Sequence, residues 1–460
     1  MPVFEQVSEL PCSAEDAYQW HLRQGAFLRL APPWERIELL ESQGVSEGAQ
    51  AHIRMWLGPI PQLWIAEHEG IVPGQQFQDR QLRGPFAAWL HTHRMEPLES
   101  GRCRLIDHIE YRPPLGFIGA WLGGRLIRRQ LARTFAWRHD VTRRDLLFHA
   151  SCSQASPMNI AIGGSTGLVG SALVPFLQTG GHTVTRLSRQ TKPGAADGTH
   201  SIAWDPAQGT IDAPSLEGID AVIHLGGHNI AHGRWTAGNK RLIRDSRLQS
   251  TSLLAKTLAG LKQPPKVFLC ASAIGYYGDR GQEVMSEASP SGTRFISEVC
   301  RDWEAATLPA VQAGIRVINL RIGVVLSPQG GALQKMLLPF KLGGGGIVGS
   351  GQQWWSWISL EDLPRIILHG LQTESLRGPV NAVAPGIVTN RDFTKTLGRV
   401  LRRPTVLPLP AFVVKTLFGE MGEELMLGST RVVPEKLIQS GYQFAHPDLE
   451  SALRGLLGRT

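Results

Sequence analysis

Asn159-Ile160-Ala161-Ile162-Gly163-Gly164-Ser165-Thr166-Gly167-Leu168-Val169-Gly170 decides the fold. A short apolar strand runs into a glycine-rich turn, and the turn opens a helix on which Leu173, Val174 and Leu177 recur at helical spacing. Glycines in such a turn let the backbone approach a pyrophosphate closely, and the helix N-terminus offers it unpaired N–H groups and the positive end of a dipole. Gly164, Ser165, Thr166, Gly167, Leu168, Val169 and Gly170 are therefore expected to bind a dinucleotide. Further strands are expected over residues 183–188, 221–225 and 266–271, a spacing that builds a doubly wound parallel sheet. Leu225, Gly226 and Gly227 close the strand over 221–225 and join the cofactor set. An acidic residue at the end of the second strand would bind the ribose hydroxyls of NAD, but the chain has Ser188-Arg189 there and Lys192 just beyond. The expectation is NADP(H) in preference to NAD(H), with Ser188 and Arg189 at the 2′-phosphate.

The remaining sequence fits around this unit. At about 100–200 residues per domain, 460 residues make two to four domains. Hydrophobic residues at 42% and charged residues at 19% exclude a disordered or fibrous chain. No run of about 18 apolar residues occurs, and Glu5 and Glu9 stand where a secretion signal needs a basic end, so a cytoplasmic protein with no membrane span is expected. Five scattered cysteines without a C-x-x-C pair offer neither a disulfide framework nor a zinc site of the usual spacing. Residues 1–157 balance 17 Arg against 17 acidic residues without a single Lys, and the rest carries the whole net charge of +8. No basic run of five or more appears, so an anionic cofactor accounts for this charge and nucleic acid is not an expected partner. The divisions are a first domain over 1–150, a small polar linker over 151–157, a Rossmann domain over 158–403 and a C-terminal segment over 404–460.

The first domain reads as α+β. Strands are expected over 3–10, 36–41, 51–56, 63–71, 75–82, 87–96 and 102–111, and a helix over 14–22. A second, amphipathic helix is expected over 116–137, with Ile118, Trp121, Leu122, Leu126, Ile127 and Leu131 on one face. His91 and His93 alternate on one strand and point to one face, where His108 could join them as a third ligand. No metal-ligand spacing accompanies them, so they are read as hydrogen-bonded sheet-face histidines and no metal site is expected. The same holds for His224, His228 and His232, because Gly226-Gly227 interrupts any helix that would align them. Seven tryptophans (20, 34, 56, 64, 89, 121 and 137) either fill the core or line a ligand cavity.

Two resemblances sharpen this reading. "Leu30-Ala31-Pro32-Pro33-Trp34", "Arg83-Gly84-Pro85-Phe86-Ala87-Ala88-Trp89-Leu90-His91-Thr92-His93" and "Asp107-His108-Ile109-Glu110-Tyr111" resemble the helix-grip fold of the START-like superfamily, in its polyketide cyclase/dehydrase-type members, over about residues 1–148. That resemblance implies an apolar cavity and hence an apolar ligand. From residue 158 the glycine pattern, "His224-Leu225-Gly226-Gly227", "Ala271-Ser272-Ala273-Ile274-Gly275-Tyr276-Tyr277-Gly278", "Leu320-Arg321-Ile322-Gly323-Val324-Val325-Leu326" and "Trp357-Ile358-Ser359-Leu360-Glu361-Asp362-Leu363" are similar to the atypical extended short-chain dehydrogenase/reductases. Within these the chain resembles the sugar-nucleotide epimerase-type family that carries a C-terminal segment of unknown function, here about residues 404–457. The resemblance implies a Rossmann-like α/β domain, places Arg321 with the cofactor residues, and suggests a homo-oligomer, since extended members commonly pair through a helical face.

Mechanism departs from that pattern. The superfamily uses Ser or Thr, Tyr and Lys, the cation being needed because a free tyrosine is only about 0.1% ionised at neutral pH. None of the five tyrosines has Lys four positions later, and the region that should open with Tyr-x-x-x-Lys reads Phe295-Ile296-Ser297-Glu298-Val299-Cys300-Arg301-Asp302-Trp303-Glu304. Ser272, Tyr276 and Tyr277 are the substitutes. Ser272 is either an active-site hydroxyl or a strand-end hydrogen bond, and each tyrosine either a proton donor or a packed aromatic. The glycine loop over 343–355 reads as a lid or a plain connection. The leading expectation is an NADP-dependent oxidoreductase or epimerase acting on a small or apolar substrate; the rival is a non-catalytic NADP(H) sensor that has lost the Tyr-Lys pair.

Overall fold

The chain divides into two units: Met1–Pro157 with Val174–His182 and Gly194–Thr199, and Met158–Leu173 with Thr183–Pro193 and His200–Thr460. The computed structural model describes residues 1–114, 116–152, 156–189 and 197–459, and side chains outside 116–122. The expected roles of Ile118, Trp121, Leu122 and Lys192, and part of the linker, lie outside the described residues.

The first unit is built from β1 (Val3–Leu10), α1 (Ala14–Leu22), α2 (Ala26–Arg29), β2 (Ile37–Ser42), β3 (Gln50–Leu57), β4 (Ile60–Val72), β5 (Gln76–Arg83), β6 (Ala88–Pro97), β7 (Cys103–Arg112) and α3 (Gly116–Ser151). Its seven strands form one antiparallel sheet in the order β1-β7-β6-β5-β4-β3-β2. The Ser13 hydroxyl caps α1 by accepting from the Asp16 N–H at 3.1 Å. Phe4, Trp89, Ile109 and Tyr111 of the sheet bury against Leu131 and Phe135 of α3. That helix runs to Ser151, well past the expected end at 137. The charged sequence after Trp137 hides its buried stripe, because Val141 and Leu146 alternate there with His139 and Asp145, polar groups that are buried in ion pairs. Leu126 is 70% exposed, so it lies off the face on which periodicity placed it.

The second unit continues with β8 (Asn159–Gly163), α4 (Leu168–Thr179), β9 (Thr183–Ser188), β10 (His200–Asp205), β11 (Thr210–Ile211), β12 (Ala221–His224), α5 (Ala237–Ala259), β13 (Val267–Ala273), β14 (Val284–Met285), α6 (Phe295–Ala305), α7 (Leu308–Gln312), β15 (Arg316–Ile322), β16 (Val324–Leu326), α8 (Gly331–Lys341), β17 (Trp354–Trp355), β18 (Trp357–Ser359), α9 (Asp362–Gln372), β19 (Gly378–Ala382), β20 (Val388–Thr389) and α10 (Asn390–Leu401). The C-terminal segment adds α11 (Ala411–Phe418), α12 (Glu420–Gly422), β21 (Arg431–Val432), α13 (Glu435–Gln439) and α14 (Leu449–Leu457). The main sheet has the order β11-β10-β9-β8-β12-β13-β15-β19, parallel except for the edge strand β11. Its central strands are apolar because helices cover both faces, as Ile160, Ala161, Ile162, Val222, Ile223, Phe268 and Leu269 show by being wholly buried. The strand β10 was not expected. His200-Ser201-Ile202-Ala203-Trp204-Asp205 is short and half polar, and pairing with β9 and β11 makes it a strand.

Candidate cofactor and catalytic site

Strand order reverses between β8 and β12, the first strand and the fourth of the parallel sheet, and in open sheets of this kind ligands bind at the carboxyl ends of the strands beside that reversal. Both strands run there into glycine turns, β8 through Gly163-Gly164 and β12 through Leu225-Gly226-Gly227. Gly164 follows β8 with φ +82°, and a Cβ on it would come within 2.7 Å of the Gly226 nitrogen and 2.8 Å of the Leu225 carbonyl carbon. The two turns thus meet backbone to backbone. Gly170 packs on the turn just as closely, a Cβ there falling 2.4 Å from the Gly164 oxygen. Thr166 and Gly167 are exposed at the start of α4, whose first-turn N–H groups have no intrahelical partner. This is a floor free of side chains at a helix N-terminus, which fits a dinucleotide pyrophosphate.

Neighbouring residues hold the floor in place. Arg186 on β9 donates to the Ser165 hydroxyl at 3.3 Å, a contact the sequence reading did not anticipate. His224 accepts from the Gly226 N–H through Nδ1 at 3.4 Å, so its other nitrogen carries the proton and donates to Ser250 at 2.8 Å. Burial, with the Arg247 charge nearby, pushes the His224 pKa down to about 3, keeping the ring neutral in that role. Leu225 extends the pairing of β12 with β8 through its N–H to the Gly163 oxygen at 2.8 Å. Ser188 ends β9 and Arg189 follows it, exposed to solvent.

On the other side of β12 the expected catalytic residues meet in a different arrangement. Ser272, Arg321 and Asn381 are register partners on the adjacent strands β13, β15 and β19, so the sheet itself sets them in a row. Ser272 donates to Glu304 of α6 at 2.7 Å. Glu304 also receives two bonds from Arg321, each 2.8 Å long. Arg321 donates to the Tyr277 hydroxyl at 2.9 Å, and that hydroxyl donates to Asn381 Oδ1 at 2.7 Å. Burial, only partly offset by Arg321 and Asn381, pushes the Tyr277 pKa up to about 12.

This network reassigns several expectations. Arg321, expected at the cofactor, is 2% exposed and engaged by Glu304 and Tyr277. Tyr277 is wholly buried, and the Ser272 hydroxyl makes a strand-end bond to a carboxylate. Tyr276 differs: it is half-buried on the turn that follows β13, and its ring stacks on the Arg321 guanidinium at 3.5 Å. Glu304 and Asn381 were missed, since only register and helix packing bring positions 32 and 109 residues after Ser272 beside it. The glycine loop over 343–355 is pinned by bonds from Gly349 N to Leu409 O at 2.9 Å and from Leu409 N to Ile347 O at 2.8 Å, which holds it as a connection.

The first unit holds a cavity of about 530 Å³. Trp64, Phe86, Trp89 and Phe135 give it apolar walls, while His68, Asp79, His91 and His93 form one polar corner. Of the tryptophans, Trp64 and Trp89 line the cavity, whereas Trp20 is core. His108 lies outside, paired with Glu5 at 3.0 Å, so it does not join His91 and His93.

A doubly wound sheet with paired glycine turns at its reversal point and Ser272, Tyr276 and Tyr277 at the strand ends beyond defines an NAD(P)-binding Rossmann protein of the epimerase and short-chain dehydrogenase type. Residues 160–382 match the model of the NAD dependent epimerase/dehydratase family, and residues 409–456 match a domain of unknown function, DUF1731. An epimerase family protein of Mycobacterium bovis is 42% identical over 294 residues, covering 64% of this chain and 96% of its own. The human epimerase family protein SDR39U1 is 38% identical over 304 residues, 65% of this chain and all of its own. The chain belongs to the NAD-dependent epimerase/dehydratase family. Among solved structures, a nucleoside-diphosphate sugar epimerase of Corynebacterium glutamicum superposes with a TM-score of 0.80 at 33% identity, covering 99% of this chain and 90% of its own. Human SDR39U1 (isoform 2) with NADPH gives 0.60 at 37% identity over 66% of this chain and all of its own. Among the described residues no helix is long and apolar enough to cross a membrane.

Proposed function

We propose that this chain is an NADP(H)-dependent oxidoreductase or epimerase of the extended short-chain dehydrogenase type, cytoplasmic, acting on a small or apolar substrate, with a START-like helix-grip first unit that binds an apolar ligand. The preference for NADP(H) is supported by Arg189 where an acidic residue would repel a 2′-phosphate, and by the NADPH bound to the human relative. The START-like reading is supported by the antiparallel sheet packed on one long helix and by the apolar cavity.

The observation that carries catalysis is Tyr276. Its hydroxyl makes no side-chain hydrogen bond among the described residues, and Arg321 stacks on its ring at 3.5 Å, held in place by Glu304. A guanidinium on that face stabilises the tyrosinate left when the phenol gives up its proton, part of the role Lys has elsewhere in the superfamily. Bound NADPH supplies a hydride. Tyr276 would donate its proton to the substrate oxygen and recover one from solvent afterwards.

A second reading, an NADP(H)-responsive protein without turnover, is favoured by the commitment of Ser272 and Tyr277 to the buried network. Oxidation of NADPH followed at its reduced-cofactor absorbance over a panel of carbonyl compounds separates the two. Turnover that falls about 100-fold or more in Tyr276→Phe, with NADPH affinity retained, supports the enzyme reading. Tight NADPH binding without turnover on a broad panel supports the sensor.

A further inference from the structure

Four adjacent strands of the first unit carry one polar ladder on the face that lines its cavity. His68 on β4 pairs in register with Asp79 on β5, Asp79 with His91 on β6, and His93 on β6 with Asp107 on β7. His139 of α3 closes the cluster against Asp107 at 2.8 Å. Asp79, His91 and His93 each bring one ligand atom within 4.8 Å of the others, and all three line the cavity, whereas Asp107 and His139 stand behind them.

The proton on His91 leaves a lone pair facing a carboxylate. Asp107 accepts from His91 Nε2 at 2.9 Å, so that nitrogen carries the hydrogen and the neutral ring's lone pair is on Nδ1. That Nδ1 lies 3.9 Å from Asp79 Oδ2, too far for a hydrogen bond and with no proton to share. His93 differs: its Nε2 donates to Asp79 Oδ2 at 3.2 Å, a proton that a metal ion would replace, while its Nδ1 lies 2.7 Å from Asp107 Oδ1. Ligand atoms of a tetrahedral site with bonds of about 2.1 Å stand about 3.4 Å apart, between the two separations from Asp79. Charge points the same way. Asp79 and Asp107 bring two carboxylates to the corner, a charge that suits a divalent ion, and the nearby Arg138 and Glu35 offset each other. A carboxylate that takes the second N–H of metal-bound histidines is the usual support of such a site; Asp107 accepts from His91 and lies 2.7 Å from His93 Nδ1.

We propose that Asp79, His91 and His93 bind a divalent first-row transition metal, with Asp107 and His68 orienting the ligands and a fourth position open to the cavity. Imidazole and carboxylate donors suit zinc, cobalt and iron over calcium or magnesium. The open position faces walls of Trp64, Phe86, Trp89 and Phe135, so the group that completes the site is an oxygen donor, such as a carbonyl, on an otherwise apolar molecule. This inference adds a ligand role to His91 and His93, which the structure shows as hydrogen-bonded sheet-face histidines, and does not depend on the cofactor site.

The test is a titration of the tag-free full-length chain, stripped with chelator, with Co²⁺ followed by its visible d–d absorption and then displaced by Zn²⁺. One ion per chain is expected, with affinity falling at least 100-fold in His93→Ala and in Asp79→Asn and unchanged in His108→Ala on the opposite face. NADPH binding and far-UV circular dichroism report whether each variant is folded. Failure of the wild-type chain to bind Co²⁺ or Zn²⁺ at 100 micromolar, or a folded His93→Ala that binds as tightly as wild type, overturns the proposal.

Discussion

Replacing Glu304 by Gln tests whether the buried network, rather than the cofactor, employs Arg321. The substitution keeps volume and shape but removes the only carboxylate bonded to the Arg321 guanidinium among the described residues. Arg321 is 2% exposed, so water cannot take over the lost bonds. Only one amide oxygen remains to accept from both Arg321 and Ser272, and the amide NH₂ then faces other donors. Removing one partner of a buried pair costs about 3–5 kcal/mol, because the other charge is left uncompensated. At about 2–4 °C per kcal/mol for a domain of this size, the melting transition of the Rossmann unit drops by roughly 6–20 °C. Urea unfolding followed by tryptophan fluorescence gives the free energy, and a cycle of Glu304→Met, Arg321→Met and the double variant Glu304→Met/Arg321→Met isolates the pair. The double variant is expected to be more stable than Glu304→Gln, since both charges leave together. NADPH affinity of the folded Glu304→Gln protein should stay near wild type. A loss below 1 kcal/mol, or a loss of NADPH binding without a loss of stability, would refute the reasoning.

Three other outcomes follow from the same structure. Gly170→Ala places a Cβ against the Gly164 carbonyl and Ser165, so NADPH binding measured by calorimetry should weaken at least 100-fold or the turn should fail to form; near-wild-type affinity counts against the glycine floor. Arg189→Glu should shift the NADP(H)-to-NAD(H) affinity ratio by roughly ten- to a hundredfold, the worth of a charge-assisted bond to phosphate, and an unchanged ratio removes Arg189 from the site. His224 titrates near 6.5 when unfolded but near 3 when folded, so the unfolded state takes up the proton first as pH falls. Its contribution is complete above pH 6.5 and is lost at about 1.4 kcal/mol per unit below that, so His224→Asn should flatten the stability-pH slope between pH 6 and 5 by that amount.

The local chemistry of this protein was legible in its order of residues. Strand, glycine turn and helix are neighbours in sequence, so residues 159–170 announced the strand–turn–helix unit, and alternation over 87–96 and 102–111 announced strands found within a residue or two of those bounds. What was not legible is whatever depends on register and long-range packing. The strand β10 exists because β9 and β11 pair with it, and α3 continues past Trp137 because Asp145 and His139 find buried partners there. The fate of the expected catalytic residues belongs to the same class. Ser272, Arg321 and Asn381 lie far apart in sequence and are aligned only by parallel pairing, and the carboxylate that occupies Ser272 comes from a helix packed across the strand ends. Asp79, too, reaches His91 and His93 through antiparallel register, where spacing along the chain carries no signal. Sequence alone determined which backbone conformations and which cofactor class this chain supports, because those follow from glycines, periodicity and charge among near neighbours. Tertiary structure decided which hydroxyls are free, which charges are paired and which histidines converge, because these are set by distances between strands that the chain's own spacing does not encode.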